Sequence, residues 1–195
     1  MRAVLRSRYC SPSGLSISEI PQPVPGENDL LIRVHTCTAN RTDYHVLTGK
    51  PFYMRLFTGL FKPKTSFIGS DFAGEIVATG SKVTKFRKGE RVMGFGGVFG
   101  VGSLAEYLVF PEDGGIVLIP GSLPYDQAAA CIEGAYYAAA SLLQLQFKTG
   151  QTAMVYGATG AIGSSQLQLL SGPYLHGSRE ESACSFLYRR ILKED

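Results

Sequence analysis

The stretch TAMVYGATGAIG, residues 152–163, restricts what this chain can fold into more than any other. A short apolar run leads straight into glycines at 157, 160 and 163, and the apolar segment IGSSQLQLL follows. In the run Ala158-Thr159-Gly160-Ala161-Ile162-Gly163, small residues fall at the three positions where a strand turns sharply into a helix around a phosphate. A small first residue permits the tight turn, Gly160 lets the backbone approach a ligand, and Gly163 lets the helix lie close on the strand. Free N–H groups and the positive dipole end of the helix then face the anion. The segment predicts a buried parallel strand at TAMVY, a phosphate-binding turn over Gly157–Gly163 and a helix after it.

What should follow such a corner is missing from the pattern. One βαβ unit takes about 30 residues and a complete domain needs several, whereas 32 residues follow Gly163. An acidic residue roughly 20 positions past the turn should end a second strand and grip a ribose. Glu180 and Glu181 lie near that distance, but GPYLHGSREES holds no Val/Ile-rich run to carry them, so they read as surface charges. ACSFLYRRIL offers at most one amphipathic helix. The expectation is the beginning of an α/β domain over 123–170, truncated or frameshifted, with 171–195 as a divergent tail. Without pairing strands, TAMVY would leave a half-sheet open, and self-association through it is expected.

Before residue 122 the chain has a different character. RAVLR, LSISEI, DLLIRVHTCTA, DFAGEIVATG, ERVMGF, SLAEYLVF and GIVLIP are strand-like, and SPSG, PQPVPGEND and PEDGG separate them as turns. Such spacing predicts a small barrel or sandwich over residues 1–122. DQAAACIEGAYYAAASLLQL then predicts a helix, divided in two at Gly134. The short segment RTDYHVLT predicts a helix capped by Asn40, with Asp43 bonding back and Gly49 ending it. The aromatics of KPFYMRLFTGLF, residues 50–61, are expected to pack as an ordinary apolar segment, the alternative being a lid on a substrate site.

Composition excludes several functions. A net charge of +3 with scattered Lys and Arg does not make a nucleic-acid surface, and the most basic run, KVTKFRKGER, is diluted by Glu90. No segment approaches a membrane span, and MRAVLRSRYCSPSG lacks the apolar core of a signal peptide, so no membrane partner and a cytoplasmic location are expected. Cys10, Cys37, Cys131 and Cys184 form no C-x-x-C pair and read as free thiols.

A β domain followed by this glycine turn resembles the medium-chain dehydrogenase/reductase superfamily. The resemblance rests on PGENDLLIRVHTCTANRTDYHVLTG, IGSDFAGEIVATGSKVTKFRKGERVMGF, GSLAEYLVF, AAACIEGAYYA and VYGATGAIG, and covers residues 2–170. It implies an α+β chain, with a GroES-like partly open β-barrel followed by the first strand-turn-helix of a Rossmann domain. The zinc members of that superfamily carry a Cys ligand where this chain has Asn40 and a His ligand where it has Ser70. Their third ligand would fall in ACIEGA, near Cys131 or Glu133. Asn and Ser are poor zinc ligands, and no four closely spaced cysteines offer a structural site, so no metal is expected.

The chain thus looks like the zinc-free quinone-oxidoreductase branch, which implies NADPH as cofactor and a quinone or enone as electron acceptor. Family position assigns Asn40, Asp43 and His45 to the catalytic cleft. It assigns Arg41, Tyr136, Gly157, Ala158, Thr159, Gly160, Ala161, Ile162 and Gly163 to the cofactor. Tyr136 departs from the family, which places a Thr there. Capping by Asn40 and solvation of Arg41 stand beside those assignments, as does a purely structural hydrogen bond for His45. A non-catalytic remnant or interaction module built on the barrel is the reading of a different class.

Overall fold

In a computed structural model of the chain, residues 1–97, 100–145 and 151–171 are described. Seven strands form where the alternating apolar runs predict them: β1 Arg2–Leu5, β2 Ser16–Glu19, β3 Asp29–Thr36, β4 Asp71–Thr79, β5 Arg91–Phe95, β6 Tyr107–Pro111 and β7 Ile116–Leu118. Two short helices, α1 Arg41–Thr48 and α2 Met54–Thr58, lie between β3 and β4; α3 Tyr125–Leu145 and α4 Ala161–Ser171 follow the strands. The described residues divide into two compact units, Met1–Ala129 and a second that begins at Ala130, inside α3.

The first unit is built on a five-stranded antiparallel sheet of order β6-β3-β4-β5-β7, with β1 and β2 forming a separate ribbon. The ribbon joins the larger sheet through the Ala3–Ala105 bridge and the Val4 N–H to Leu104 carbonyl bond of 2.8 Å. Period-two alternation decides which side chains fill the core. Leu30 and Ile32 of β3, Phe72 and Ile76 of β4 and Val92 of β5 are fully buried on one face, together with Leu108, Phe110 and Ile116. Phe72 meets Phe110 edge-on at 5.1 Å, a favoured aromatic geometry. The opposite face, through Ala73, packs against Ile119, Ala128 and Ala129 at the start of α3. Tyr125 anchors that start: His35 stacks on its ring at 4.3 Å and the Arg91 guanidinium lies 4.5 Å from its centroid.

Arg6 ties β1 to the helical insertion. Its side chain, 2% exposed, donates from Nη1 to the Val46 carbonyl and from Nε to the Thr65 carbonyl at 3.4 Å. Burial holds its pKa below the ordinary arginine value.

The second unit departs from the sequence reading in two places. Gly134 does not divide the helix, because α3 runs unbroken from Tyr125 to Leu145. The glycine serves close packing instead: a Cβ there would stand 2.8 Å from the Ala161 carbonyl oxygen at the first turn of α4. The second correction concerns TAMVY. Residues 152–156 form no strand, and Met154 and Tyr156 are 91% and 97% exposed. A helix such as α4 satisfies its backbone from within its own segment, but a strand needs a neighbour. Among the described residues nothing pairs with this run. The expectations for residues 172–195 lie outside the described residues.

Amide exchange should separate the two behaviours. Peptides covering β3 and β4 should exchange slowly and those covering 152–156 within the dead time of a manual mixing experiment. Slow exchange across 152–156 would mean that the run is paired in solution.

Candidate functional site

The predicted catalytic residues cluster at the N-terminus of α1, and the reason is local. Asn40 has extended backbone angles and caps the helix: its Oδ1 accepts the Asp43 N–H at 2.8 Å, while Asp43 Oδ2 accepts the Asn40 N–H at 3.2 Å. This reciprocal pair satisfies two donors the helix leaves open. Gly49 closes the helix in the left-handed region at φ 61°, its N–H bonded to the His45 carbonyl at 2.9 Å, a conformation that costs glycine nothing.

The amide nitrogen of Asn40 faces inward. It donates to Ser70 Oγ at 2.8 Å and lies 3.2 Å from both Thr38 Oγ1 and Asp71 Oδ2. With two N–H groups shared among three acceptors, only the second lone pair of Oδ1 remains for a ligand. Asp71 is the node beneath this cluster. Fully buried, it accepts from the Thr38 N–H at 2.7 Å and from the Thr38 hydroxyl, as well as from Asn40.

His45 stands on the next turn of α1, half-buried, with Nδ1 2.7 Å from the Lys50 carbonyl. A carbonyl only accepts, so Nδ1 carries the proton and Nε2 of the neutral ring keeps its lone pair. Arg41, at the first helical position, is exposed and makes no ion pair or hydrogen bond among the described residues. Tyr136 is half-buried in α3 and meets Tyr137 edge-on at 5.2 Å.

The glycine turn has the close packing that its spacing implied. Gly157 adopts φ 76°, and its carbonyl accepts the Gly160 N–H at 3.0 Å. A Cβ on Gly163 would collide with that carbonyl oxygen at 2.3 Å and with Ala158 Cα at 2.8 Å, so α4 lies against the turn only because residue 163 has no side chain. Gly160 differs. A Cβ there meets nothing closer than 3.5 Å. Among the described residues nothing requires glycine at 160, and the space beside it is open.

Sequence reasoning missed Thr38 and Asp71. Asp71 opens β4 directly before the apolar residues Phe72, Ala73 and Gly74, and a carboxylate buried in such a run has to be hydrogen-bonded; that was the available signal. Cys37 was also passed over. It lines an open cleft of about 510 Å³ with Val34, His35 and Ser103. Burial, then the nearby Asp71 and Asp43 carboxylates, push its thiol from 9.0 up to about 11.

Residues 26–121 match the alcohol dehydrogenase GroES-like domain, which accounts for the β unit and the α1 cluster together. Over 173 residues the chain is 34% identical to a quinone oxidoreductase of Lama guanicoe, covering 87% of this chain and 49% of that protein. Against the human quinone oxidoreductase it is 32% identical over 173 residues, again 87% and 49%. The solved quinone oxidoreductase of Coxiella burnetii superposes with a TM-score of 0.74 at 29% identity, over 87% of this chain and 52% of that one. The chain spans about half the length of the curated relatives it matches. It belongs to the medium-chain dehydrogenase/reductase superfamily, among the quinone oxidoreductase-like members.

Two outcomes check the local geometry. Gly163→Ala should destabilise the second unit despite the better helix propensity of alanine, by about 1–3 kcal/mol, as overpacking against backbone does. Loss of α4 helicity on thermal or denaturant melting is the measure. Cys37 should resist iodoacetamide at pH 8 while exposed Cys131 reacts, and its reactivity should rise as pH climbs toward 11. Because the fold favours the protonated thiol, its contribution to stability is complete below the ordinary value and is lost as pH rises through about 11.

Proposed function

We propose that this chain is an NADPH-dependent, zinc-free reductase of the quinone or enone type, cytoplasmic in location, with weak cofactor binding in the form described. The observation that carries the reading is the contrast between Gly163, which the protein's own packing demands, and Gly160, which no described residue does. A backbone left bare at 160 fits the close approach of a pyrophosphate. The similarity to proteins named quinone oxidoreductase supports the acceptor class.

In this reading Gly157, Ala158, Thr159, Gly160, Ala161, Ile162 and Gly163 would hold the cofactor phosphates through backbone N–H groups, and Arg41 and Tyr136 are the other residues that family position assigns to the cofactor. NADPH bound there would supply a hydride to an electron-poor carbon of the acceptor. The protein's part is orientation rather than acid–base chemistry. His45, its Nδ1 proton fixed on Lys50, offers Nε2 to accept a hydrogen bond and relay a proton from water. Asn40 and Asp43 hold the cleft wall, with Asn40 Oδ1 as the remaining acceptor toward a ligand.

Zinc does not fit this donor set. The two positions where zinc members carry ligands are occupied by Asn40 and Ser70, which are hydrogen-bonded to each other through the amide N–H. An N–H aimed at a hydroxyl is the opposite of a lone pair aimed at a cation.

A second reading, a remnant or interaction module on the GroES-like unit, is favoured by the run 152–156, which pairs with no strand among the described residues. One titration distinguishes the two. NADPH added to the purified chain, followed by nucleotide fluorescence, should bind measurably but weakly. Gly160→Ala should then reduce affinity about tenfold or more while leaving the melting temperature unchanged, since the added methyl meets only the ligand. No binding at millimolar NADPH, or identical binding by Gly160→Ala, would favour the module.

A further inference from the structure

The segment expected to pack as an ordinary apolar stretch does the reverse. Between Phe52 and Phe61, the large apolar side chains that face solvent are Phe52 at 66%, Tyr53 at 58%, Leu56 at 63%, Phe57, Leu60 and Phe61 at 91%. The polar groups of the same segment point inward. Tyr9 donates its hydroxyl to the Gly59 carbonyl at 2.5 Å and pairs with Thr58 Oγ1 at 2.8 Å. Arg55 donates to the Gly49 carbonyl at 3.2 Å and lies over the Tyr9 ring at 4.7 Å. Met54 and Thr58, each 7% exposed, complete the inner face. The loop is therefore held from beneath by hydrogen bonds, and the aromatic side cannot turn in without breaking them.

Charge is as one-sided as polarity. From Tyr44 to Ser70 the sequence contains no Asp or Glu, while Lys50, Lys62 and Lys64, which flank the aromatic run in sequence, are exposed. Exposed Phe, Leu and Tyr flanked in sequence by exposed lysines suit a surface that is apolar within and anionic at its boundary.

We propose that the 50–64 loop is a docking surface for anionic phospholipid membrane, with Phe52, Leu56 and Phe61 entering the acyl boundary and Lys50, Lys62 and Lys64 meeting the headgroups. No helix among the described residues is long and apolar enough to cross a membrane; the contact is peripheral. It is independent of the NADPH reading.

Sedimentation of the whole chain with vesicles tests it. The protein should pellet with vesicles of phosphatidylcholine mixed with phosphatidylserine, and only weakly with phosphatidylcholine alone. Leu56→Ser with Phe61→Ser should weaken anionic-vesicle binding by about tenfold or more, and Lys62→Glu with Lys64→Glu by a similar factor. Val24→Ser, at a side chain 86% exposed elsewhere on the unit, should bind as the unaltered chain does. All altered positions are exposed, and matching circular dichroism melts confirm folding. Equal binding to both vesicle types, or binding that survives both double variants, would overturn the proposal. So would lipid-free dimerisation that the Leu56/Phe61 variant abolishes, which would make a second copy the occupant.

Discussion

One buried carboxylate organises the α1 cluster. Asp71 accepts hydrogen bonds from Thr38 and from Asn40, and no ion pair reaches it among the described residues. A charge taken out of water without such donors is among the costliest features a fold can carry, so the loop from Cys37 to Asn40 has to stay where its N–H and O–H groups reach β4. Fixing that loop fixes Asn40, and the orientation of its amide follows, since only the N–H side can face a carboxylate. Oδ1 is thereby turned toward the Asp43 N–H, and α1 begins at the next residue. The same carboxylate raises the pKa of the Cys37 thiol, a secondary consequence of burying one negative charge near another ionisable group.

Much of the β unit was legible because its signals are local and redundant. Each of the seven strands coincides with a run of alternating or β-branched residues between Gly and Pro turns. The α1 helix was legible to the residue, because Asn40, Asp43 and Gly49 each bear a specific chemical relation to its ends. Asp71 was not legible as the node. Its partners Thr38 and Asn40 lie more than thirty positions earlier, and only the antiparallel pairing of β3 with β4 brings them together. Distance in sequence hid the most constrained group of the cluster.

The second unit shows where local reasoning runs out in another way. TAMVY has the composition of a buried strand, yet composition states only what a segment would gain from neighbours. Helix α4, which begins five positions after Tyr156, needs no such neighbour for its backbone and forms as predicted. Gly134 illustrates the same limit. Within an Ala-rich helix, a lone glycine reads as a break because its propensity is poor. Its reason for being there is the Ala161 carbonyl of another helix, which a Cβ would strike.

The exposed loop and the buried cluster are linked through α1. Val46 and Leu47 form the inner side of that helix, and their carbonyls accept from Arg6 and from the Cys10 N–H at 3.2 Å. Arg6 and Tyr9 lie three residues apart, with the Arg6 guanidinium 5.4 Å from the Tyr9 ring centroid. Tyr9 in turn binds Thr58 and Gly59. The short stretch from Arg6 to Cys10 thus holds α1 by backbone carbonyls on one side and the 50–64 loop by side-chain bonds on the other. Arg55, Thr58 and the Gly59 carbonyl are spent on this inward attachment, which leaves the apolar side chains of the loop no interior to enter. Exposure of Phe52, Leu56 and Phe61 is on this account a consequence of how the first unit anchors α1, not of poor packing in the loop itself.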